Sequence, residues 1–166
     1  RPLATLGPKV TASRMVRDYV TELYEPTAAR ADALWADGMA RARELAAWKQ
    51  RIRDEWHGVH IDRVDGDRSV ADLGGTRRVE AVVSLGALSA DDVDVQLIHG
   101  PVGQSDELTS REVVSMSVAG PAEDGHVRYA GEFETRHAGR YGFTVRVVPR
   151  HPDLVSSAEM GLAAWA

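Results

Sequence analysis

Cysteine is absent from this sequence. That excludes disulfides, thiolate metal ligands and a cysteine nucleophile, and it agrees with a reducing compartment, so the expected location is cytoplasmic. Lysine occurs only as Lys9 and Lys49; every other basic residue is arginine. With the high alanine content this bias matches a GC-rich genome and carries no functional weight. No apolar run approaches bilayer-spanning length and no signal-peptide core is visible, so no membrane partner is expected. The net charge is −5 with both signs interspersed. No basic face is left for a phosphate backbone, so no nucleic-acid partner is expected. The first residue is not methionine, and the expectation is a piece of a longer protein.

At 166 residues the chain can hold one ordinary domain plus an appendage. Hydrophobic residues make up 43% and charged residues 27%, a soluble globular composition. Residues 9–24 read as an amphipathic helix. Thr11 suits its N-cap, Val10 and Met15 fit a hydrophobic staple, and Val16, Tyr19, Val20 and Leu23 form one stripe. Glu25-Pro26 is expected to close it. Residues 26–54 read as a second helix with Pro26 in its first turn. Trp35, Met39, Ala42, Leu45, Trp48 and Ile52 share one face, and a kink is expected at Gly38.

From Trp56 onward the period changes to two. A strand near 56–63 is followed by alternating runs at 79–85, 93–97, 114–118, 127–134 and 141–147. These make about six strands with one face in and one out. Turn signals separate them at Asp65-Gly66-Asp67, Gly74-Gly75, Gly100-Pro101, Gly120-Pro121 and Asp124-Gly125. The expected fold class is α+β, with a helical segment over 1–54 and an immunoglobulin-like antiparallel β-sandwich over 55–166. Val83, Leu97, Met116, Phe133, Phe143 and Val145 are its expected inner rows. Tyr141 at a strand entry fits a tyrosine corner. No clear strand follows Val148, so the final strand is missing or supplied irregularly by residues 153–165.

Site chemistry is thin. His57 and His60, three apart on one strand, would point to opposite faces and make a poor metal pair. Asp91, Asp92 and Asp94 read as a solvated turn, because a calcium loop needs more oxygen ligands. Gly74-Gly75 lies between strands and lacks the following helix of a phosphate loop. No Ser/His/Asp set has supporting context. No catalytic, cofactor-binding or metal-binding residue is therefore assigned.

Two strings carry a resemblance. Ser13-Arg14-Met15-Val16-Arg17-Asp18-Tyr19-Val20 with Leu23-Tyr24 resembles the last helix of the catalytic core in bacterial α-glucan (glycogen or maltodextrin) phosphorylases. Gly142-Phe143-Thr144-Val145-Arg146-Val147-Val148-Pro149-Arg150-His151-Pro152, with the closing Gly161-Leu162-Ala163-Ala164-Trp165-Ala166, resembles the carboxyl end of the branch with an extra β domain. The resemblance implies a parent glycosyltransferase that uses pyridoxal phosphate and acts on α-glucan and phosphate. Neither Lys9 nor Lys49 sits in the family's cofactor motif, so this chain is expected to be inactive alone and to hold no cofactor. Its partner would be the rest of the parent chain, with homo-oligomerisation left open. A carbohydrate-binding module is the alternative, with Trp56, Tyr129 and Tyr141 as the aromatics available for stacking. Tyr129 and Tyr141 fall on inward rows, which favours burial. A plain interaction domain is a third reading. Exposed aromatics in a planar row would favour the module, and buried ones a structural role.

Overall fold

A computed structural model describes residues 12–67, 69 and 72–166. The Thr11 cap and the Val10 half of the staple lie outside the described residues. The chain divides into two compact units, one running to Trp48 and the other from Lys49 onward.

In the first unit, helix α1 covers Ala12–Tyr19 and passes into a π-helical turn over Val20–Tyr24. Helix α2 then runs Glu25–Glu55. The expected stop at Glu25-Pro26 does not occur, since Glu25 keeps helical dihedrals and its N–H bonds to the Val20 carbonyl. A wide π turn just before proline relieves the ring's crowding against the preceding turn and absorbs the missing donor. The break expected at Gly38 is present. Ala36–Met39 leave helical geometry, with positive φ at Asp37, Gly38 and Met39. It splits the apolar face predicted for the second helix: Trp35 and Met39 are exposed, whereas Leu45 and Ile52 are buried.

The second unit begins within α2, whose last turns belong to the sandwich. Arg51 donates twice to the Asp92 carboxylate, at 2.7 and 3.0 Å. Lys49 pairs with Glu159, and Ile52 is 0% exposed. A short 3₁₀ turn at Trp56–Gly58 follows. The first strand therefore starts later than expected, as β1 over His60–Gly66.

The other strands are β2 Thr76–Ser84, β3 Val93–Pro101, β4 Glu112–Ser115, β5 Ser117–Pro121, β6 Val127–Glu134, β7 Tyr141–Pro149 and β8 Ala164–Trp165. They form two antiparallel four-stranded sheets, β1-β2-β6-β5 and β4-β3-β7-β8. With β1, β2, β6 and β5 as strands A, B, E and D, and β3, β7 and β8 as C, F and G, this is the immunoglobulin arrangement. Val79, Ala81 and Val83 of β2, Val95 and Leu97 of β3, Tyr129 and Phe133 of β6, and Val145 and Val147 of β7 are all buried. They supply the alternating inner rows that period two predicts.

Two details depart from the sequence reading and a third agrees with it. The run 114–118 is not one strand: β4 and β5 lie in different sheets, and buried Met116 makes the crossing, its N–H bonded to the Val95 carbonyl at 2.7 Å. Phe143 is half-buried rather than internal. The last strand is indeed irregular, since Trp165 and Ala164 pair with Arg146 and Val147 only after a 3₁₀ turn at Ser157–Met160. The Arg146 guanidinium lies 5.5 Å from the Trp165 ring centre. Among the described residues no helix is long and apolar enough to cross a membrane.

Candidate functional site

Two places on the second unit gather chemically capable side chains. The first is an aromatic stack bordering an open groove of about 1070 Å³, lined by Ile61, Arg77, Phe133, Tyr141 and Phe143 among others. His99, near the end of β3, is 2% exposed. Its ring stacks on Phe133 at 4.4 Å and on Tyr141 at 5.9 Å. Its Nδ1 shares a hydrogen bond with the Tyr141 hydroxyl at 3.2 Å. The tyrosine-corner expectation is thus corrected. The phenol reaches across to β3 instead of back to its own loop, because β7 places it beside the buried imidazole.

Burial pushes His99 below the usual imidazole range, with Glu112 pulling it up and Arg136 pushing it further down. Burial raises the Tyr141 and Tyr129 phenols. The unfolded chain takes up a proton on His99 near pH 6.5, while the folded state resists it. The stability held by neutral His99 is complete above that pH and is lost as pH falls below it. The unfolding free energy measured by urea titration should therefore fall between pH 7.5 and 5.5, with a slope of at most about 1.4 kcal/mol per pH unit from this residue. His99→Gln should flatten that fall; an equally steep fall in the variant would remove His99 as its source.

Among the described residues, each arginine lining the groove has a carboxylate partner. Arg77 is paired with Asp67, Arg63 with Asp65 at 2.6 Å, and Arg140 with Asp106 at 2.6 Å. Nor do the aromatics of the second unit form a flat exposed row. Tyr129 and Phe133 are buried, and Trp56, Tyr141 and Phe143 are half-buried. Among the described residues of this unit, Trp165 is the one exposed Trp, Tyr or Phe.

The second place is a cluster of His60, Asp62 and His126, whose ligand-capable atoms all lie within 4.8 Å of one another. His60 Nε2 is 3.2 Å from Asp62 Oδ1, and His126 Nδ1 is 3.5 Å from Asp62 Oδ2. The sequence reading paired His60 with His57 on a strand. Instead, His57 sits in the 3₁₀ turn, its Nδ1 2.9 Å from the Asp54 carbonyl oxygen. His60-x-Asp62 on one strand was the visible half of the cluster; His126 comes from the β5–β6 hairpin.

The acidic turn is also not simply solvated. Asp91 is exposed, but Asp92 is buried. Asp92 accepts from Arg51 and from the Ser89 N–H and hydroxyl, at 3.0 and 2.8 Å. Asp94 accepts from Gln96 at 2.6 Å. Gly74 and Gly75 close a turn, with Gly75 N–H bonded to the Asp72 carbonyl and Gly74 N–H to that of Thr135.

The family described as Glycogen phosphorylase C-terminal domain matches residues 56–166. A glycogen phosphorylase of Mycobacterium bovis is 39% identical over 99% of this chain, and one of Mycobacterium tuberculosis is equally similar. A maltodextrin phosphorylase of Thermococcus litoralis is 29% identical over 98% of the chain. In each case the chain spans only 19% of the relative's length. No solved structure matches.

Proposed function

The chain belongs to the glycogen phosphorylase C-terminal domain family, and from that premise we propose that it is the non-catalytic carboxyl-terminal part of an α-glucan phosphorylase. The parent would convert glycogen or maltodextrin and phosphate to glucose 1-phosphate in the cytoplasm. This region would serve packing and assembly. The observation that carries the reading is helix α1 and its π turn, which contain no buried residue. Met15, Val16, Tyr19, Leu23 and Tyr24 are all exposed. Each gains roughly 1.5–3 kcal/mol on full burial, so a stripe of them calls for a covering surface. The remaining four-fifths or so of the parent, inferred from the 19% coverage, is the surface proposed.

Pyridoxal phosphate, implied for the parent, does not fit the residues here. Lys49 is engaged by Glu159, and Lys9 lies outside the described residues and in no cofactor motif. The described arginines at the groove are each paired with a carboxylate. The cofactor, catalytic groups and glucan subsites are assigned to the rest of the parent. The half-buried and buried aromatics favour this structural role over a carbohydrate-binding module.

The purified 166-residue chain should release no glucose 1-phosphate from glycogen and phosphate. Amide hydrogens over 12–24 should exchange faster than those of β2, β3, β6 and β7. Phosphorolysis by the chain, or α1 protection equal to that of the strands, would overturn the reading.

A further inference from the structure

We propose that His60, Asp62 and His126 form a binding site for a zinc-type divalent transition-metal ion on the outer face of the β1-β2-β6-β5 sheet. The strand register brings the three together. His60 lies opposite Ser84 of β2. On the other side of β2, Val83 pairs with Val127, so one further step sets His126 beside the same Ser84. The two imidazoles therefore flank a small residue, whose hydroxyl turns away to donate to the Gly58 carbonyl at 3.2 Å. Alternation puts this row on the face opposite buried Val83.

The carboxylate is delivered by a bulge. The β1–β2 pairing steps from Ile61↔Val83 to Arg63↔Val82, which leaves Asp62 as the extra residue. A bulge is the backbone device that re-aims a side chain. His126 is fixed by the hairpin turn, in which its N–H bonds to the Glu123 carbonyl and its own carbonyl accepts from Ala122 N–H at 2.8 Å. Gly125 at φ 78° makes that turn.

Distances and donor types point to the ion's class. Two ligand atoms each about 2.1 Å from zinc lie roughly 3.4 Å apart across a tetrahedral angle. The two carboxylate–imidazole separations are of that size, 3.2 Å to Oδ1 and 3.5 Å to Oδ2 of Asp62, so each imidazole faces its own carboxylate oxygen, and the ligand-capable atoms all lie within 4.8 Å of one another. The imidazole rings stand edge to face with centres 6.2 Å apart, so a modest rotation about their side-chain bonds closes the set. Two imidazoles and one carboxylate suit zinc, cobalt or nickel, whereas calcium and magnesium take oxygen ligands. The site faces solvent, which leaves the fourth position to water.

The test is calorimetric titration of the 166-residue chain with zinc chloride, and with cobalt chloride followed by visible absorption. One equivalent should bind in the micromolar range, and cobalt should give a tetrahedral-type spectrum. His126→Ala and Asp62→Asn should each weaken binding by at least about tenfold, as changes even in groups that only support metal ligands do. His57→Ala should leave it unchanged, and circular dichroism should show all variants folded. If His126→Ala is misfolded, His60→Ala decides. Zinc binding absent below millimolar concentration, unaffected by these substitutions, or weaker than calcium binding would overturn the assignment. None of these outcomes depends on the phosphorylase reading.

Discussion

Phe133→Ala is expected to destabilise the sandwich by about 3–5 kcal/mol. Phe133 is 6% exposed and sits at the centre of the aromatic stack. Its ring lies 4.4 Å from His99, 5.6 Å from Tyr141 and 6.1 Å from Phe143. Truncation would leave a cavity and also remove three ring contacts, each worth roughly 0.5–1.5 kcal/mol when well arranged. It would loosen the packing around a buried imidazole that has Tyr141 as its hydrogen-bond partner. Whole domains are stable by about 5–15 kcal/mol, so the variant would stand near the edge of folding. Phe143→Ala should cost clearly less, since its ring is half-buried and lies against Gly66 at the groove. Urea unfolding of the two variants checks both size and order. Equal costs, or a Phe133 cost under about 1 kcal/mol, would refute the packing described.

Period-two alternation was enough to place β2, β3, β6 and β7, because apolar residues recur at every second position of each, even though β3 is buried on both faces from Val95 to Gly100. It could not divide 112–121 between two sheets. Alternation continues unbroken from Val114 through Met116 to Val118, and the crossing is made by tertiary hydrogen bonding at Met116. Nor could it reveal β8, whose two residues are too few to show any period. The helical pattern showed the break at Gly38. It missed the continuity past Pro26, because a π turn leaves no residue signature of its own.

The polar clusters were less legible. His99 drew no notice in the sequence, and only burial against Phe133 and Tyr141 sets its protonation apart. Asp92 looked like part of a solvated turn, yet its partner Arg51 stands 41 positions away on a helix. The His60-Asp62-His126 cluster needs a bulge and a two-strand register, and neither can be read from one sequence without knowing which strands are neighbours. The family resemblance, by contrast, rests on long local strings, which is why it was readable while the site was not.

Ile52→Ala is expected to cost about 2–5 kcal/mol, the second large effect. Ile52 is 0% exposed, although it lies on the last turns of a helix. The compact unit containing the sandwich begins at Lys49, so those turns are part of its core rather than of a linker. The neighbouring Arg51–Asp92 pair also fixes the helix end, and Asp92 holds Ser89 and, through its carbonyl, the N–H of Arg150. Yet Arg51 is 47% exposed. Solvent screens half the pair, so Arg51→Ala should cost only about 1 kcal/mol. The order separates two pictures of this junction. If Ile52→Ala is the costlier change and lowers the stability of the strands themselves, the helix end is a packed element of the sandwich. If Arg51→Ala is costlier, or if Ile52→Ala leaves hydrogen exchange in β3 and β7 unchanged, the helix end is held by charge alone, and the unit boundary at Lys49 is wrong.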